Sequence, residues 1–213
     1  PHHVAGVEVD LGTLAAVRRR YGCTTHDVLL AAATAGVRGW LADQVGVLED
    51  VVALVPLAVT EPDLLGSAIG ARVAPQWIAL PVTEPSPVAR LEAIATLTRV
   101  RQDSGVSVRA TELRDLAGFA PPTLHALAAG TVAAGRPHRV LVSNVPGPGQ
   151  RRYLGEAAVS GVYSLVGTTD DEQCTVSLTS YRGRVTIGVA AVGEVRHFAR
   201  DVSNELGALR AGA

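Results

Sequence analysis

Leu141-Val142-Ser143-Asn144-Val145-Pro146-Gly147-Pro148-Gly149 is the stretch around which this chain is organised. Residues 139–142 read as a short, mostly apolar buried strand. It stops at Asn144, where two prolines and two glycines force a rigid turn. Pro146 and Pro148 have fixed φ and no N–H to offer a ladder. Gly147 and Gly149 accept positive φ or let another group approach the backbone closely. A strand ending in Ser-Asn before a stiff, hydrogen-bond-poor turn lines a cleft as readily as it connects two elements.

Outward from that turn, helices and strands alternate. Towards the N-terminus, Val4, Val7 and Val9 predict a strand, and Asp10 is placed to N-cap a helix carrying Leu11, Leu14, Val17 and Tyr21. Gly22 is its stop. Thr24 or Thr25 then caps a helix over 26–45, with Asp27 in its first turn, where the helix dipole favours negative charge. Residues 28–35 are apolar nearly all round, so this helix is expected to be buried. Residues 51–59 form a continuous apolar run, the pattern of a strand covered on both faces. Pro56 inside it predicts an edge position or a bulge. A loop over 60–71, a strand over 72–80, a helix over 88–104 capped by Ser86, and two further helices over 109–118 and 123–134 follow. Beyond the central turn, strands are expected at 157–165, 175–181 and 184–192, with a two-residue turn at Arg182-Gly183. Alternation of Val185, Ile187, Val189 and Ala191 gives that last strand one core face. A closing amphipathic helix carries Phe198, Val202, Leu206 and Leu209. The fold class is therefore α/β, a mixed β-sheet flanked by helices.

The chain has 213 residues, with 47% hydrophobic and 18% charged, enough to bury a substantial core. A net charge of −1 provides no bulk attraction to nucleic acid or to an anionic membrane, so no nucleic-acid partner is expected. Every basic residue is Arg. Cys23 and Cys174 make no disulfide framework, and neither has a metal-ligand neighbour at zinc spacing. A cytoplasmic, reducing location is the expectation. The longest apolar run, 28–37, is too short to span a bilayer. The chain runs almost at once into a strand with no leader, which suggests the C-terminal portion of a longer polypeptide, a processed Met-Pro start being the alternative.

Candidate catalytic groups are sparse. His2-His3 is the tempting pair, because acyltransferases of the condensation-domain and chloramphenicol acetyltransferase type use His-His-x-x-x-Asp-Gly to deprotonate an acyl acceptor. Here Val4-Ala5-Gly6-Val7-Glu8 follows and the Asp-Gly is absent, so a strand start is the better reading. His26-Asp27 suggests a base beside its orienter, yet adjacent residues at a helix start point in different directions, and capping explains them. His125, His138 and His197 share no ligand spacing. Ser143 lacks the Gly-x-Ser-x-Gly elbow of a nucleophile. Gly147-Pro148-Gly149 lacks the third glycine and the Lys of a phosphate cradle. Arg151-Arg152 could meet a phosphate or lipid headgroup, against a solvated turn. Asp170-Asp171-Glu172 is an exposed acidic loop with no paired ligand. No catalytic residue and no metal site is assigned.

Several stretches in order resemble the second half of the bacterial wax ester synthase/diacylglycerol acyltransferases. Gly22-Cys23-Thr24-Thr25-His26-Asp27-Val28-Leu29-Leu30-Ala31 is similar to that family's Gly-x-Thr-x-Asn-Asp-Val and the apolar helix after it. Leu54-Val55-Pro56-Leu57 and Leu80-Pro81-Val82 resemble two of its strand segments. Ser143-Asn144-Val145-Pro146-Gly147-Pro148 is the most specific piece. Tyr153-Leu154-Gly155, Leu178-Thr179-Ser180-Tyr181-Arg182-Gly183-Arg184 and Ile187-Gly188 complete the pattern. The departures are His26 where the family has Asn, Gly70-Ala71-Arg72 in place of Gly-Asn, and Ala190-Ala191-Val192 without Ala-Asp-Arg.

The resemblance implies a two-lobed chloramphenicol acetyltransferase-like fold, of which residues 1–213 would be the C-terminal lobe. Its partners would be the N-terminal catalytic lobe of the same protein, acyl-CoA and a lipid alcohol. Acyl-CoA would be a substrate, and no cofactor is implied. The reaction implied is direct acyl transfer to diacylglycerol or a long-chain alcohol after a histidine of the other lobe takes the hydroxyl proton. Peripheral association with membranes or lipid droplets would accompany such substrates. On this reading Ser143, Asn144, Val145, Pro146, Gly147 and Pro148 are expected at the substrate tunnel or lobe interface, and His26 and Asp27 form a structural motif. The chain alone is expected to be inactive. The alternative is a non-catalytic lipid-binding or interaction module that kept the fold, and an intact His-His-x-x-x-Asp-Gly upstream would decide between them.

Overall fold

The computed structural model describes residues 2–45, 48–59, 72–103, 140–168 and 173–212. The chain begins with β1 (His2–Asp10), which passes directly into α1 (Leu11–Tyr21) and then α2 (Thr25–Val45). Strands β2 (Val51–Val59) and β3 (Arg72–Leu80) precede α3 (Pro87–Asp103). After β4 (Val140–Val145) come the two-residue strands β5 (Tyr153–Leu154) and β6 (Ala157–Ala158), then β7 (Cys174–Tyr181), β8 (Arg184–Val192) and α4 (Phe198–Ala211). Six strands form one sheet in the order β1-β8-β7-β4-β2-β3. The neighbours β2, β4 and β7 are mutually parallel, and the outer pairings are antiparallel, so the sheet is mixed as expected.

Local chemistry accounts for the boundaries. Asp10 caps α1 by accepting from the Thr13 N–H at 3.1 Å. Gly22, at φ 63°, closes it with its N–H on the Arg18 carbonyl. Ser86 caps α3 through the Ala89 N–H. Arg182 and Gly183 both take positive φ, which is the turn that matches the twist of the β7–β8 hairpin.

One face of the sheet carries Ala53, Val55, Ile78, Leu80, Val140, Val142, Val176, Leu178, Ile187 and Val189, all buried in a single core with the helices. Helix α2, apolar nearly all round over residues 28–35, lies at its centre, packed against α1, α3, α4 and β7. Phe198, Val202, Leu206 and Leu209 bury the inner side of α4.

Two expectations need correction. Pro56 does not mark an edge strand, because β2 runs between β3 and β4. Its described pairing to β4 covers only Ala53 and Leu54, and Pro56 stands opposite Pro75 in β3, so no bond to β4 is asked of it. The strand expected over 157–165 is also absent: only Ala157–Ala158 pairs, in a small hairpin with β5. Residues 159–168 instead cross the other face of β7 and β8 as a strap, because both edges of β7 are already taken by β4 and β8. Side-chain hydroxyls hold it. Tyr181 donates to the Val159 carbonyl at 3.0 Å and Thr186 to the Val162 carbonyl at 3.1 Å. Ser177 accepts from the Val166 N–H at 3.1 Å, and Thr175 donates to the Val166 carbonyl. The loop over 60–71, the helices over 109–118 and 123–134, and the acidic residues 170–172 lie outside the described residues.

Candidate functional site

The two stretches singled out for function meet where the N-terminus of α2 reaches the carboxyl end of β4. Thr24 and Asp27 form a reciprocal cap. The Thr24 N–H donates to Asp27 Oδ2 at 2.8 Å, and the Asp27 N–H donates to Thr24 Oγ1 at 3.1 Å. Asp27 is buried, and its second carboxylate oxygen accepts from Thr98 Oγ1 of α3 at 2.7 Å. The carboxylate thus ties the start of α2 to α3.

His26 points elsewhere. Asn144, on the helix-covered face of β4, brings its Nδ2 to 3.4 Å from His26 Nδ1. With the Asn amide as donor, Nδ1 is the acceptor and the proton sits on Nε2, which is buried without a hydrogen-bond partner among the described residues. Burial pushes the His26 pKa down, and the neighbouring Asp27 charge only partly opposes it. The site therefore holds a neutral imidazole with one unspent N–H. Ser143 faces the opposite side of the sheet from Asn144, as alternation in β4 requires, so it is not brought onto the imidazole.

Beyond β4 the turn runs along the end of β7. The Val145 carbonyl accepts from Thr179 Oγ1 at 2.8 Å, and the Gly147 N–H donates to Ser180 Oγ at 3.1 Å. The Arg182 N–H donates to the Pro148 carbonyl at 3.4 Å. A Cβ on Gly147 would stand 2.1 Å from the Ser180 carbonyl oxygen, which explains the glycine. Val145 and Pro146 are exposed on the outer side of this turn.

Other candidates disperse. His2 Nδ1 lies 2.8 Å from Thr168 Oγ1, and His197, at the start of α4, has its Nδ1 3.3 Å from Asp43 of α2. His125 and His138 lie outside the described residues. Cys174 is buried and its pKa is pushed up to about 12, so it is an inert thiol. Arg151 and Arg152 are exposed, with the Arg152 backbone bonded to Tyr181 Oη. Among the described residues no group of His, Cys, Asp and Glu could hold a metal ion, and no helix is long and apolar enough to cross a membrane. Sequence reasoning missed the hydroxyl row of β7, although Thr175, Ser177, Thr179 and Tyr181 at alternate positions are its visible signal. Thr98 carried no local signal, because its partner Asp27 is 71 positions away.

Comparison with known proteins places this geometry. Residues 69–210 match the model of the WS/DGAT C-terminal domain. A putative diacylglycerol O-acyltransferase of Mycobacterium tuberculosis is 29% identical over 198 residues, covering 87% of this chain and 38% of that protein. A probable diacylglycerol O-acyltransferase of the same organism, Tgs4, is 25% identical over 199 residues, with 90% and 40% covered. The chain thus spans about two-fifths of the length of the curated relatives it matches. Among solved structures, the wax ester synthase/diacylglycerol acyltransferase of Marinobacter aquaeolei VT8 superposes with a TM-score of 0.68 at 23% identity, over 99% of this chain and 49% of that one. The cyclization-docking bidomain of the EpoB peptide synthetase from Sorangium cellulosum gives 0.57 at 14% identity, over 99% and 41%. The mixed sheet with its helices is accordingly the architecture of the chloramphenicol acetyltransferase-like acyltransferases and condensation domains. With two-thirds of its length matched by one family model, the chain belongs to the WS/DGAT C-terminal domain family.

Proposed function

We propose that this chain is the C-terminal lobe of an acyl-CoA-dependent O-acyltransferase that esterifies diacylglycerol or a long-chain alcohol. On this reading it forms one wall of the substrate tunnel, and the region preceding it supplies the general base. One observation carries the reading. The two stretches most like the family, around His26 and around Asn144, come within 3.4 Å of each other at the carboxyl end of the parallel strands, where open α/β sheets place ligands. The chemistry there suits a binding wall. His26 is neutral and bonded away from Ser143, and Asp27 is spent on its cap and on Thr98. Pro146 and Pro148 withhold two N–H donors and leave a stiff apolar rim fit for an acyl chain.

The test is turnover of palmitoyl-CoA with diacylglycerol or hexadecanol. The polypeptide that includes the preceding region is expected to release CoA and form ester, and residues 1–213 alone are expected to do neither. Turnover by residues 1–213 would overturn the division of labour. A longer protein that binds both substrates without turnover would favour the non-catalytic module, for which His26 in place of the family Asn is the supporting observation.

A further inference from the structure

The strap over β7 and β8 leaves an apolar band uncovered on its outer side. Residues 162–168 alternate between half-buried and exposed, so Tyr163 and Leu165 face outward at 68% and 53% exposure. The band continues onto β1 and β8. A Cβ built on Gly188 would meet Leu165 Cδ2 at 3.0 Å, and Gly188 is paired with Gly6 of β1. Two residues along the same face is Val4, 62% exposed and opposite Ala190, with Val192 next to it at 40%. Polar pairs close both ends: Glu8 with Arg184 beside Tyr163, and His2 with Thr168 beside Val4. Gly188 lies buried under Ser164 and Leu165, and its exposed partner Gly6 leaves a shallow floor beside Val4. A contiguous apolar band rimmed by polar residues is the signature of a surface that is covered in the assembled protein.

We infer that the band Tyr163–Leu165–Val4–Val192 is the surface on which the region preceding residue 1 docks. The inference rests on the two-lobe reading above. The occupant follows from lengths and positions. The matched relatives are more than twice as long as this chain, and the family model that matches is a C-terminal domain, so their remaining length precedes it. A preceding segment joins at the start of β1, beside His2, Val4 and Val192, and β1 is an edge of the sheet. The band therefore begins where that segment must leave. The apolar face meets it without a connecting span, and the strap, held by hydroxyls, supplies the outer half of the contact.

Hydroxyl-radical footprinting of the polypeptide that includes the preceding region tests this, with protection factors referenced to the same protein in denaturant. Tyr163 and Leu165 are expected to be protected more than tenfold, and Leu154, 83% exposed on the β5–β6 hairpin, less than threefold. Val4→Glu is expected to unlock the lobes, raising Tyr163 and Leu165 labelling at least fivefold while the far-ultraviolet circular dichroism stays unchanged. Val4→Ala is expected to give a smaller rise in the same direction. Tyr163 and Leu165 labelled as freely as Leu154 in a protein that turns over acyl-CoA would overturn the docking surface and leave the two-lobe reading standing. Protection that disappears on dilution to the monomer would assign the band to a second copy and also overturn it. A gene encoding nothing ahead of residue 1 would remove both readings together.

Discussion

Asp27 and His26 are neighbours in sequence with opposite attachments. Asp27 bonds the Thr24 N–H and the Thr98 hydroxyl while almost fully buried, so its removal costs both a cap and an interhelical tie. Asp27→Ala is expected to destabilise the protein by about 0.5–2 kcal/mol for the cap and a further ~1 kcal/mol for the hydroxyl bond, read by urea unfolding. An Asp27→Ala protein of unchanged stability but no activity would make the residue catalytic instead. His26 has a folded pKa lowered by burial, so the folded state resists a proton that the unfolded chain accepts. Its contribution to stability is present above the unfolded value of about 6.5 and is lost as pH falls through the lowered folded pKa. His26→Asn removes the titrating group, and the stability difference between the two proteins is expected to shift against wild type as pH drops from 7 to 5. A pH-independent difference would show that the imidazole is not held neutral. A cap at Thr24 or Thr25 with Asp27 in the first turn was legible in the sequence, and the structure settles it on Thr24. The approach of His26 to Asn144 was not legible, since it depends on a pairing across 118 positions.

The elements that periodicity resolves are those whose two sides differ. The alternation of Val185, Ile187, Val189 and Ala191 was legible because these side chains enter the helix-covered core, whereas α2 was legible not by periodicity but by its apolar run over 28–35. Residues 157–165 misled because an apolar, alternating segment looks the same whether its backbone pairs with a strand or lies across hydroxyls. Only the occupied edges of β7 decide that. The strap depends on Gly188, where a Cβ would stand 2.8 Å from the Ser164 carbonyl oxygen. Gly188→Ala is expected to lift it, raising hydrogen exchange at the Val166 N–H while the β7–β8 ladder stays protected. The central turn depends on Gly147 in the same manner. Gly147→Ala forces a methyl against the Ser180 carbonyl and is expected to cost about 1–3 kcal/mol, whereas Gly149→Ala, with open space around its Cβ, is expected to be near neutral. Equal melting temperatures for the two variants would mean that the turn is not packed on β7.

At the scale of the molecule, one face of the sheet is held by apolar packing, and among the described residues the helices over it are cross-tied by a buried ion pair. Arg90 of α3 bonds Glu205 of α4, each side chain only 3% exposed, and its Nη2 donates to the Glu84 carbonyl at 2.6 Å. Nothing in the sequence marks the pair, because the partners are 115 positions apart and each sits at an ordinary helical position. Burial pushes the Glu205 pKa up, and the Arg90 bond and charge, with the charge of Arg38, only partly counter it. Arg90→Met leaves Glu205 buried without its bonded cation, with only the charge of Arg38 acting on it, and is expected to cost about 3–5 kcal/mol at pH 7. Without Arg90 the folded pKa of Glu205 rises further above its unfolded value. The neutral acid is then favoured in the folded state, with a contribution to stability that is full below the unfolded pKa and lost as pH rises through the folded one. The Arg90→Met deficit is therefore expected to shrink as pH falls from 7 towards 4. Arg90→Met combined with Glu205→Leu is expected to recover most of the loss at pH 7, since two apolar side chains of suitable size can replace a buried pair. Urea unfolding at both pH values decides it. A double variant no more stable than Arg90→Met would show that the Glu84 carbonyl, rather than the stranded carboxylate, sets the cost.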